Sequence, residues 1–523
     1  MLGLCSRCQG DRYLLDFFGL VPWLVALDRT RTLRGAAASG LAMCAAFVAA
    51  IFAWFGFAIA TYSAGAAAAG LVVLMLAAPL LQPQFLVFAL VRHAARARFG
   101  GVVVALAGAS AWVATEWAFP KLLADSLAHG FYPSPVLRQA ADIAGTAGIT
   151  FAIVLMNEGL AAAIAARFDG RGLRAMLLPL AAFASIAAAM AGYGSWRLQE
   201  LAQADANADA KPIKVGLVQS NIAAYDRLRR EMGTYEAVRY VLDTHFAMSR
   251  EAVEKEHVDA LLWSETVFPT TFGHPKSDTG GDLDREIEAF VTGVGVPLVF
   301  GSYDRDDQGE YNSAVFLEPS PPSEPGQPRR PPRFDQYRKT RLFFLTEYVP
   351  WWMDGAFARG MMPWAGHWKP GPGARVMPLR LAGGREVPVL PMICLDDVDV
   401  RLAVEGARRG ARMILTMSND SWFDEHPEGA WLHLVVAAFR SVETRLPQLR
   451  VTSTGISAVI DPSGEVRASA GVKERRVLVG DLAPRAAGDT LVVRWGDWLG
   501  PTALAFVVLL FAAAAIRDRR RAA

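Results

Sequence analysis

The decisive stretch of this chain reads Glu386-Val387-Pro388-Val389-Leu390-Pro391-Met392-Ile393-Cys394-Leu395-Asp396-Asp397. Its apolar part, 387–393, is short, contains β-branched residues and follows Gly383-Gly384, which predicts a buried strand. Pro388 and Pro391 argue against a strand, because proline cannot donate a hydrogen bond to a neighbouring strand. Cys394 follows the predicted strand, where sheet enzymes usually carry reacting groups. A cysteine after an apolar run is more often a small buried hydrophobic residue, so the rest of the chain must decide between these interpretations.

The composition indicates a membrane part joined to a soluble part. The chain has 523 residues, of which 53% are hydrophobic and 20% charged, and its net charge of +2 gives no reason to expect nucleic-acid binding. Cys5 and Cys8 form a CxxC pair, but no second Cys or His pair completes a zinc site. We therefore expect no metal and no cofactor, and Cys394 has no obvious disulfide partner.

Several apolar segments are long enough to predict membrane helices, and their number disfavours the alternative of buried helices in a soluble protein. They lie at about 35–61, 66–92, 101–119, 143–166, 174–194 and 497–516, after a shorter segment at 13–27. Basic connections at 28–34, 92–98, 167–174 and 517–521 alternate consistently as cytoplasmic loops. The large region before the last segment is then predicted on the opposite side, the periplasm of a Gram-negative bacterium. The first segment does not have the pattern of a cleavable signal peptide.

The region between the last two apolar segments predicts an α/β domain. Predicted strands at 213–219, 258–263, 297–303, 314–317, 387–393, 412–417, 450–460 and 476–482 alternate with helical intervals. Residues 319–332 are rich in proline and predict an exposed insertion. The predicted organisation is a transmembrane helical bundle at 1–200, a linker at 201–212, a catalytic domain at 213–485, and a C-terminal transmembrane helix with a basic cytoplasmic tail at 490–523.

Three residues in this domain form a sufficient set for acyl transfer. Glu265 lies at the exit of the predicted strand 258–263, Lys339 lies in Tyr337-Arg338-Lys339-Thr340, and Cys394 directly follows the opening strand. A carboxylate can take the proton of a thiol, and an ammonium can stabilise the oxyanion that forms when the sulfur attacks a carbonyl. Each residue also has an ordinary interpretation: Glu265 as a helix cap, Lys339 as a surface cation, and Cys394 as part of the core.

The order and sequence context of these residues resemble the apolipoprotein N-acyltransferases of the nitrilase superfamily. The resemblance rests on the stretches Leu217–Ile222, Leu262–Pro269, Lys339–Pro350, Met392–Asp396, Ser418–Phe423, Arg440–Thr444 and Thr454–Asp461, and on Trp112–Trp117 in the membrane part. Leu395 and Asp396 depart from the family pattern, which usually has an aromatic residue and then glutamate after the cysteine. We expect those departures to affect specificity rather than the chemistry.

The resemblance implies an α-helical transmembrane bundle joined to an α/β domain with the nitrilase-like α-β-β-α sandwich. Glu265 would be the general base, Lys339 the oxyanion stabiliser and Cys394 the nucleophile, with Glu347 and Trp422 binding substrate or supporting the site. The implied reaction moves an acyl chain from a phospholipid, through a cysteine thioester, to the N-terminal amine of diacylglyceryl-cysteine lipoproteins. The implied enzyme is a monomer of the bacterial inner membrane, multi-pass, with a periplasmic catalytic domain.

The segment 343–368, here called the aromatic segment, is rich in Phe, Trp and Met and predicts a lipid-facing flap, with ordinary core as the alternative. Two other functions remain open from the sequence. One is a membrane-anchored amidase or nitrilase of the same superfamily, in which water takes the thioester. The other is a catalytically silent membrane scaffold, which the joint presence of Glu265, Lys339 and Cys394 disfavours.

Overall fold

The computed structural model describes residues 10–62, 67–119, 121, 123–206, 210–222, 225–320, 332–362 and 365–522. The Cys5/Cys8 pair, Trp364 of the aromatic segment and most of the predicted insertion at 319–332 lie outside these ranges. The chain divides into two compact units, Met1–Ala206 with Thr490–Ala523, and Asn207–Asp489.

The first unit is helical. Its helices before the second unit are α1 (Val21–Asp28), α2 (Leu33–Ile51), α3 (Ala53–Tyr62), α4 (Ala67–Leu81), α5 (Pro83–Arg96), α6 (Gly101–Ala118), α7 (Ala141–Phe168) and α8 (Leu173–Ala206). Within the part of the chain that the structure describes, five helices, one of them near the C-terminus, are long and apolar enough to cross a membrane, or up to six if the bent pair α4–α5 is one span. The pair bends by 44° around Gln82, and the prolines at 79 and 83 explain the predicted kink, because proline disrupts helical hydrogen bonding.

Several predictions for the first unit are wrong in detail. The segment 35–61 is two helices that part at Phe52. The segment 13–27, predicted to be short, covers the end of the 3₁₀ helix Gly10–Phe17 and most of α1, which is too short to span a bilayer. The predicted linker is partly helical, since α8 continues through 201–206, where alanine and glutamine favour helix. Arg92 does not lie in a loop but is buried on α5, where its Nε donates to Glu158 on α7 at 2.6 Å.

The second unit contains two six-stranded sheets. Its strands are β1 (Ile213–Gln219), β2 (Ala260–Trp263), β3 (Leu298–Asp306), β4 (Gly309–Leu317), β5 (Phe334–Arg338), β6 (Met377–Arg380), β7 (Glu386–Ile393), β8 (Met413–Ser418), β9 (Gln448–Thr452), β10 (Ser457–Ile460), β11 (Val466–Ala470) and β12 (Arg476–Leu482). One sheet has the order β12-β1-β2-β3-β4-β5 and the other β11-β10-β9-β8-β7-β6. The last strand β12 pairs antiparallel with the first strand β1, Ile213 opposite Leu482.

Helices cover the outer faces of the two sheets. They are α9 (Tyr225–Met232), α10 (Thr234–Glu256) and α11 (Asp278–Val294) over the first sheet, and α13 (Val400–Arg408) and α14 (Pro427–Thr444) over the second, whereas the short α12 (Ala356–Met361) lies in the aromatic segment. The chain returns to the first unit through α15 (Leu491–Trp495) and α16 (Leu499–Ala522). Apolar side chains of both sheets, such as Leu217, Val389 and Leu415, form the core between them. Phe246 of α10 and Phe290 of α11 stack on each other over the first sheet. This is the predicted α-β-β-α arrangement.

The opening stretch is a strand in spite of its prolines. Pro388 lies opposite Pro378 of β6, so no backbone N–H group is left without a partner at this pair. β6 pairs with β7 only as far as Val389, so Pro391 lies beyond that pairing. The predicted strand 450–460 is instead the antiparallel pair β9 and β10, with a turn at Gly455 between them. A Cβ at Gly455 would lie 2.4 Å from an oxygen of Asp420, so the turn requires glycine. The sequence did not indicate β5, β6 or β11.

The core between the sheets predicts the effect of truncating Leu415, which is 1% exposed. We expect Leu415→Ala to lower the free energy of unfolding by about 2–5 kcal/mol, because it loses apolar burial and leaves a cavity. Thermal unfolding of the full-length protein in detergent measures the change. Met232→Ala is the control, since Met232 is 41% exposed and exposed positions usually tolerate truncation. Equal midpoints for the two variants would contradict this assignment of the core.

Candidate active site

The three sequence-predicted residues follow the ends of three strands. Glu265 lies just after β2, Lys339 directly after β5 and Cys394 directly after β7, so the two sheets contribute to one site. A glycine allows this approach: a Cβ on Gly301 of β3 would lie 2.3 Å from the backbone nitrogen of Thr266 and 2.6 Å from Cα of Glu265. Only glycine leaves room for the Glu265 segment against β3.

Glu265 is buried and accepts hydrogen bonds on both carboxylate oxygens. Its Oε1 accepts from Nζ of Lys339 at 3.0 Å and from Nδ2 of Asn312 at 2.8 Å, and its Oε2 accepts from the backbone N–H of Asn419 at 2.9 Å. The carboxylate is therefore held by groups from β4, β5 and the loop after β8. These contacts fix the orientation of the carboxylate, as a general base requires.

Lys339 is 1% exposed and lies between two glutamates. Its Nζ also donates to Oε1 of Glu347 at 2.7 Å, so one ammonium is shared by Glu265 and Glu347. Burial alone would lower the pKa of Lys339, but the charges of the two glutamates raise it well above its usual range. The lysine therefore stays positively charged, and this charge suits it to stabilise a developing oxyanion.

Glu347 connects this lysine to the start of the aromatic segment. Its second oxygen, Oε2, accepts from the backbone N–H of Phe343 at 2.7 Å, and Leu345 between them has a φ of 60°. The Phe343 ring stacks on Trp422, with ring centroids 5.7 Å apart and planes 7° apart. Glu347 and Trp422 thus both contact Phe343, at the start of the aromatic segment.

Cys394 lies at a strained backbone position at the end of β7. Its φ is 48°, in the left-handed region that non-glycine residues rarely adopt, and strain of this kind persists mainly where the surrounding structure enforces it. Burial, together with the negative charge of Glu265, raises the pKa of the Cys394 thiol well above its usual range, while Lys339 opposes the effect. The thiol is therefore protonated at neutral pH, and as a nucleophile it would need a base to take its proton.

Asp396 fixes the turn that follows the cysteine. Its Oδ2 accepts from the backbone N–H of Ile393 and from the Tyr337 hydroxyl, both at 3.0 Å, and its Oδ1 accepts from the N–H groups of Thr340 and Arg341 at 3.1 and 2.7 Å. One side chain thus binds the cysteine turn to the segment that carries Lys339. Burial raises the pKa of Asp396 to about 7, although these backbone donors oppose the shift.

A buried network of charged side chains follows the cysteine turn, and the sequence did not reveal it. His433 lies between Asp420, 3.0 Å from its Nδ1, and Asp397, 3.1 Å from its Nε2. The fully buried Arg450 donates to both aspartates. Burial alone would lower the pKa of His433, but the two aspartates raise it to about 9. The positive charges of His433 and Arg450 thus balance the negative charges of Asp397 and Asp420 beside the Cys394 turn.

The aromatic segment is divided between exposed and packed residues. Trp351, Trp352 and Phe357 are 88%, 67% and 85% exposed, which excludes a core position for those three. Trp368 at its end packs on Tyr303, with ring centroids 4.4 Å apart. Among the described residues, no group of three or more His, Cys, Asp or Glu side chains is arranged to hold a metal ion.

Comparison with known families matches both parts of the chain. A family model described as the apolipoprotein N-acyltransferase N-terminal domain matches residues 2–158, and the carbon-nitrogen hydrolase model matches residues 214–490. The chain belongs to the apolipoprotein N-acyltransferase family of carbon-nitrogen hydrolases. The predicted resemblance and fold class are therefore confirmed, and with its apolar helices this family member is a membrane protein.

Curated relatives carry the family's name. The chain is 28% identical to "Apolipoprotein N-acyltransferase" of Ralstonia nicotianae, covering 87% of this chain and 80% of the relative, and 25% identical to "Apolipoprotein N-acyltransferase 2" of Treponema pallidum, covering 77% and 72%. A 24% identical match covers 56% of this chain and 53% of "Apolipoprotein N-acyltransferase 2" of Treponema denticola, about half of that relative's length.

Solved structures of nitrilase-superfamily proteins also match. Saccharomyces cerevisiae Nit3, a member of the superfamily, matches with 19% identity and a TM-score of 0.33, covering 52% of this chain and 91% of Nit3. An amidase from Nesterenkonia matches with 18% identity and a TM-score of 0.35, covering 54% of this chain and 96% of the amidase.

The pKa of Asp396 predicts a stability effect with a definite sign. A carboxyl group whose folded pKa is about 7, against about 4 when unfolded, binds more protons in the folded state between those values, so its contribution to stability falls as the pH rises through this window. Asp396→Asn removes the titration and resembles the neutral form. We expect the difference in melting temperature, wild type minus variant, to shrink between pH 4 and pH 7. A difference that grows over this range would contradict the raised pKa.

Proposed function

We propose that this protein is an apolipoprotein N-acyltransferase that forms an acyl thioester on Cys394. The observation that carries the proposal is the shared Lys339 ammonium between Glu265 and Glu347, together with the strained, protonated thiol at the end of β7. The family membership, and the match of its N-terminal part to the acyltransferase domain in particular, support a lipoprotein acceptor rather than a soluble amide.

In the first half-reaction, Glu265 takes the proton of Cys394 as the sulfur attacks the ester carbonyl of a phospholipid. Lys339 stabilises the oxyanion, because its charge is already in place and needs no reorganisation. The intermediate then collapses, the carbon–oxygen bond breaks, and Glu265 returns the proton to the departing lysophospholipid oxygen. The acyl chain remains on the sulfur as a thioester.

In the second half-reaction, the α-amino group of a diacylglyceryl-cysteine lipoprotein attacks the thioester carbonyl. Glu265 accepts a proton from the attacking amine, the carbon–sulfur bond breaks, and the thiolate is reprotonated. The products are the amide and free Cys394, so the chemistry balances without a metal or nucleotide. The direction is favourable because an amide is more stable than a thioester.

We place the protein in the bacterial inner membrane as a monomer, with the Asn207–Asp489 unit on the periplasmic side. The basic connections at 28–34, 167–174 and 517–521 support this orientation, because cytoplasmic loops carry excess Lys and Arg. The exposed Trp351, Trp352 and Phe357 support contact with lipid, because aromatic side chains favour the membrane interface. Both substrates are lipids, and a site beside the bilayer avoids moving their chains through water.

The thioester predicts a mass change that depends on one cysteine. After incubation with phospholipid, intact-mass analysis of the wild-type protein is expected to show the addition of one fatty acyl group, and Cys394→Ala is expected to show none. Cys44→Ala is the matched control: Cys44 is a buried thiol on α2 that donates to the carbonyl of Gln82, and its loss should leave the adduct in place. An unmodified wild-type protein would overturn the mechanism.

The acceptor distinguishes the acyltransferase from the related hydrolase. When a diacylglyceryl-cysteine peptide is added to the acylated protein, we expect the adduct to disappear and the peptide to gain the same acyl mass. Release of free fatty acid, with the peptide unchanged, would support the amidase or nitrilase alternative instead.

The exposed aromatic residues predict a dependence on the lipid surface. We expect Trp351→Ala with Trp352→Ala to reduce acylation from phospholipid vesicles by about tenfold, as two interfacial side chains are lost, and to change the reaction with a water-soluble short-chain ester little. Tyr235→Ala with Tyr240→Ala is the control, because these exposed aromatic residues lie on α10. Equal losses on both donors would indicate damage to the site rather than loss of lipid contact.

A further inference from the structure

Asn312 on β4 contacts all three charged residues of the site, although no sequence pattern had indicated it. Its Nδ2 donates to Oε1 of Glu265 at 2.8 Å and to Oε1 of Glu347 at 3.3 Å. Its backbone carbonyl accepts from the N–H of Lys339 at 2.8 Å. The residue is 4% exposed, so water does not substitute for these contacts. Asn312 thus lies at the centre of the polar cluster.

We infer that Asn312 is a positioning residue for the acyl transfer, an inference that rests on the proposed role of Glu265 as the base. Its amide holds the two glutamates against the same ammonium and keeps Glu265 aligned until the thiol gives up its proton. Asn312 touches neither substrate in this scheme, and it acts through Glu265.

The hydrogen bonding of Asn312 serves the site rather than the fold. Its Oδ1 is buried and has no hydrogen-bond partner among the described residues, whereas its Nδ2 serves two carboxylates. Reversing the amide would turn its oxygen towards both carboxylates, so the orientation is determined. Buried amides that only stabilise a fold usually satisfy both ends. This one leaves its acceptor unpaired and uses its donor twice.

The charge balance of the cluster explains why a neutral donor is required. Two carboxylates share one ammonium, and they face the Cys394 thiol and the buried hydroxyl of Tyr303 on β3. Burial first, and then the charge of Glu265, raise the pKa of both groups, so neither supplies a countercharge. An amide donates to both carboxylates without adding a charge that would compete with Lys339.

The test is the kinetics of acyl-adduct formation, measured by intact mass on the full-length protein at a series of phospholipid concentrations. Because Asn312 acts on the chemical step and touches no substrate, Asn312→Ala should lower the maximal rate about 10- to 100-fold and leave the phospholipid concentration at half-maximal rate nearly unchanged. Asn312→Asp places a third carboxylate beside Lys339 and should lower the maximal rate further. Asn312→Ser keeps a hydroxyl donor and should lower it less.

Ser313→Ala is the matched control. Ser313 is the next residue of β4, fully buried, with an Oγ that also has no partner among the described residues. Its replacement should leave the maximal rate unchanged, and thermal unfolding reports whether each variant is folded. Folded Asn312 variants that keep the wild-type maximal rate, or that change only the phospholipid concentration at half-maximal rate, would overturn the inference while leaving the proposed function intact. A wild-type protein that forms no adduct would overturn both.

Discussion

The structure of the site depends on one buried cation with two anionic partners. Lys339 is enclosed by protein, and its Nζ contacts Glu265 and Glu347 within 3.0 Å. A buried ion pair stabilises a fold little by itself, but removing one partner leaves an uncompensated charge that costs about 3–5 kcal/mol. β2, β4, β5 and the turn at Phe343–Tyr348 must therefore all be in place together. The fold and the chemistry share this requirement.

Glu347 links the buried Lys339 charge to the exposed aromatic segment. One oxygen of its carboxylate accepts from Lys339, and the other accepts from the backbone of Phe343, where the aromatic segment begins. The segment then exposes Trp351 and Trp352 within a few residues. A short run of chain thus connects the buried charge of Lys339 to a strongly apolar surface, and the geometry of the Glu347 side chain fixes where that surface starts.

The sequence predicted those parts of the site and fold that carry a pattern. β7 and the cysteine turn were visible because 387–393 is continuously apolar, and the family motifs indicated Glu265, Lys339 and Cys394. Asn312 was missed because a single polar residue in a strand carries no periodic signal, although it bonds to both glutamates. β5 was missed because Phe334–Arg338 is mostly polar and partly exposed. His433 and Arg450 were missed because their partners lie far apart in the chain and only the folded structure pairs them.

The pairing of β1 with β12 has a consequence for how the molecule is made. β1 is the first strand of its unit to be synthesised and β12 the last, yet Ile213 and Leu482 lie side by side. The hydrogen-bonding edge of β1 therefore stays open while the remaining strands emerge, and such an edge invites pairing with other chains. Contacts this distant in sequence also slow folding, because a long loop must close before they form. The nascent protein thus passes through a vulnerable interval that ends only when its closing strand arrives.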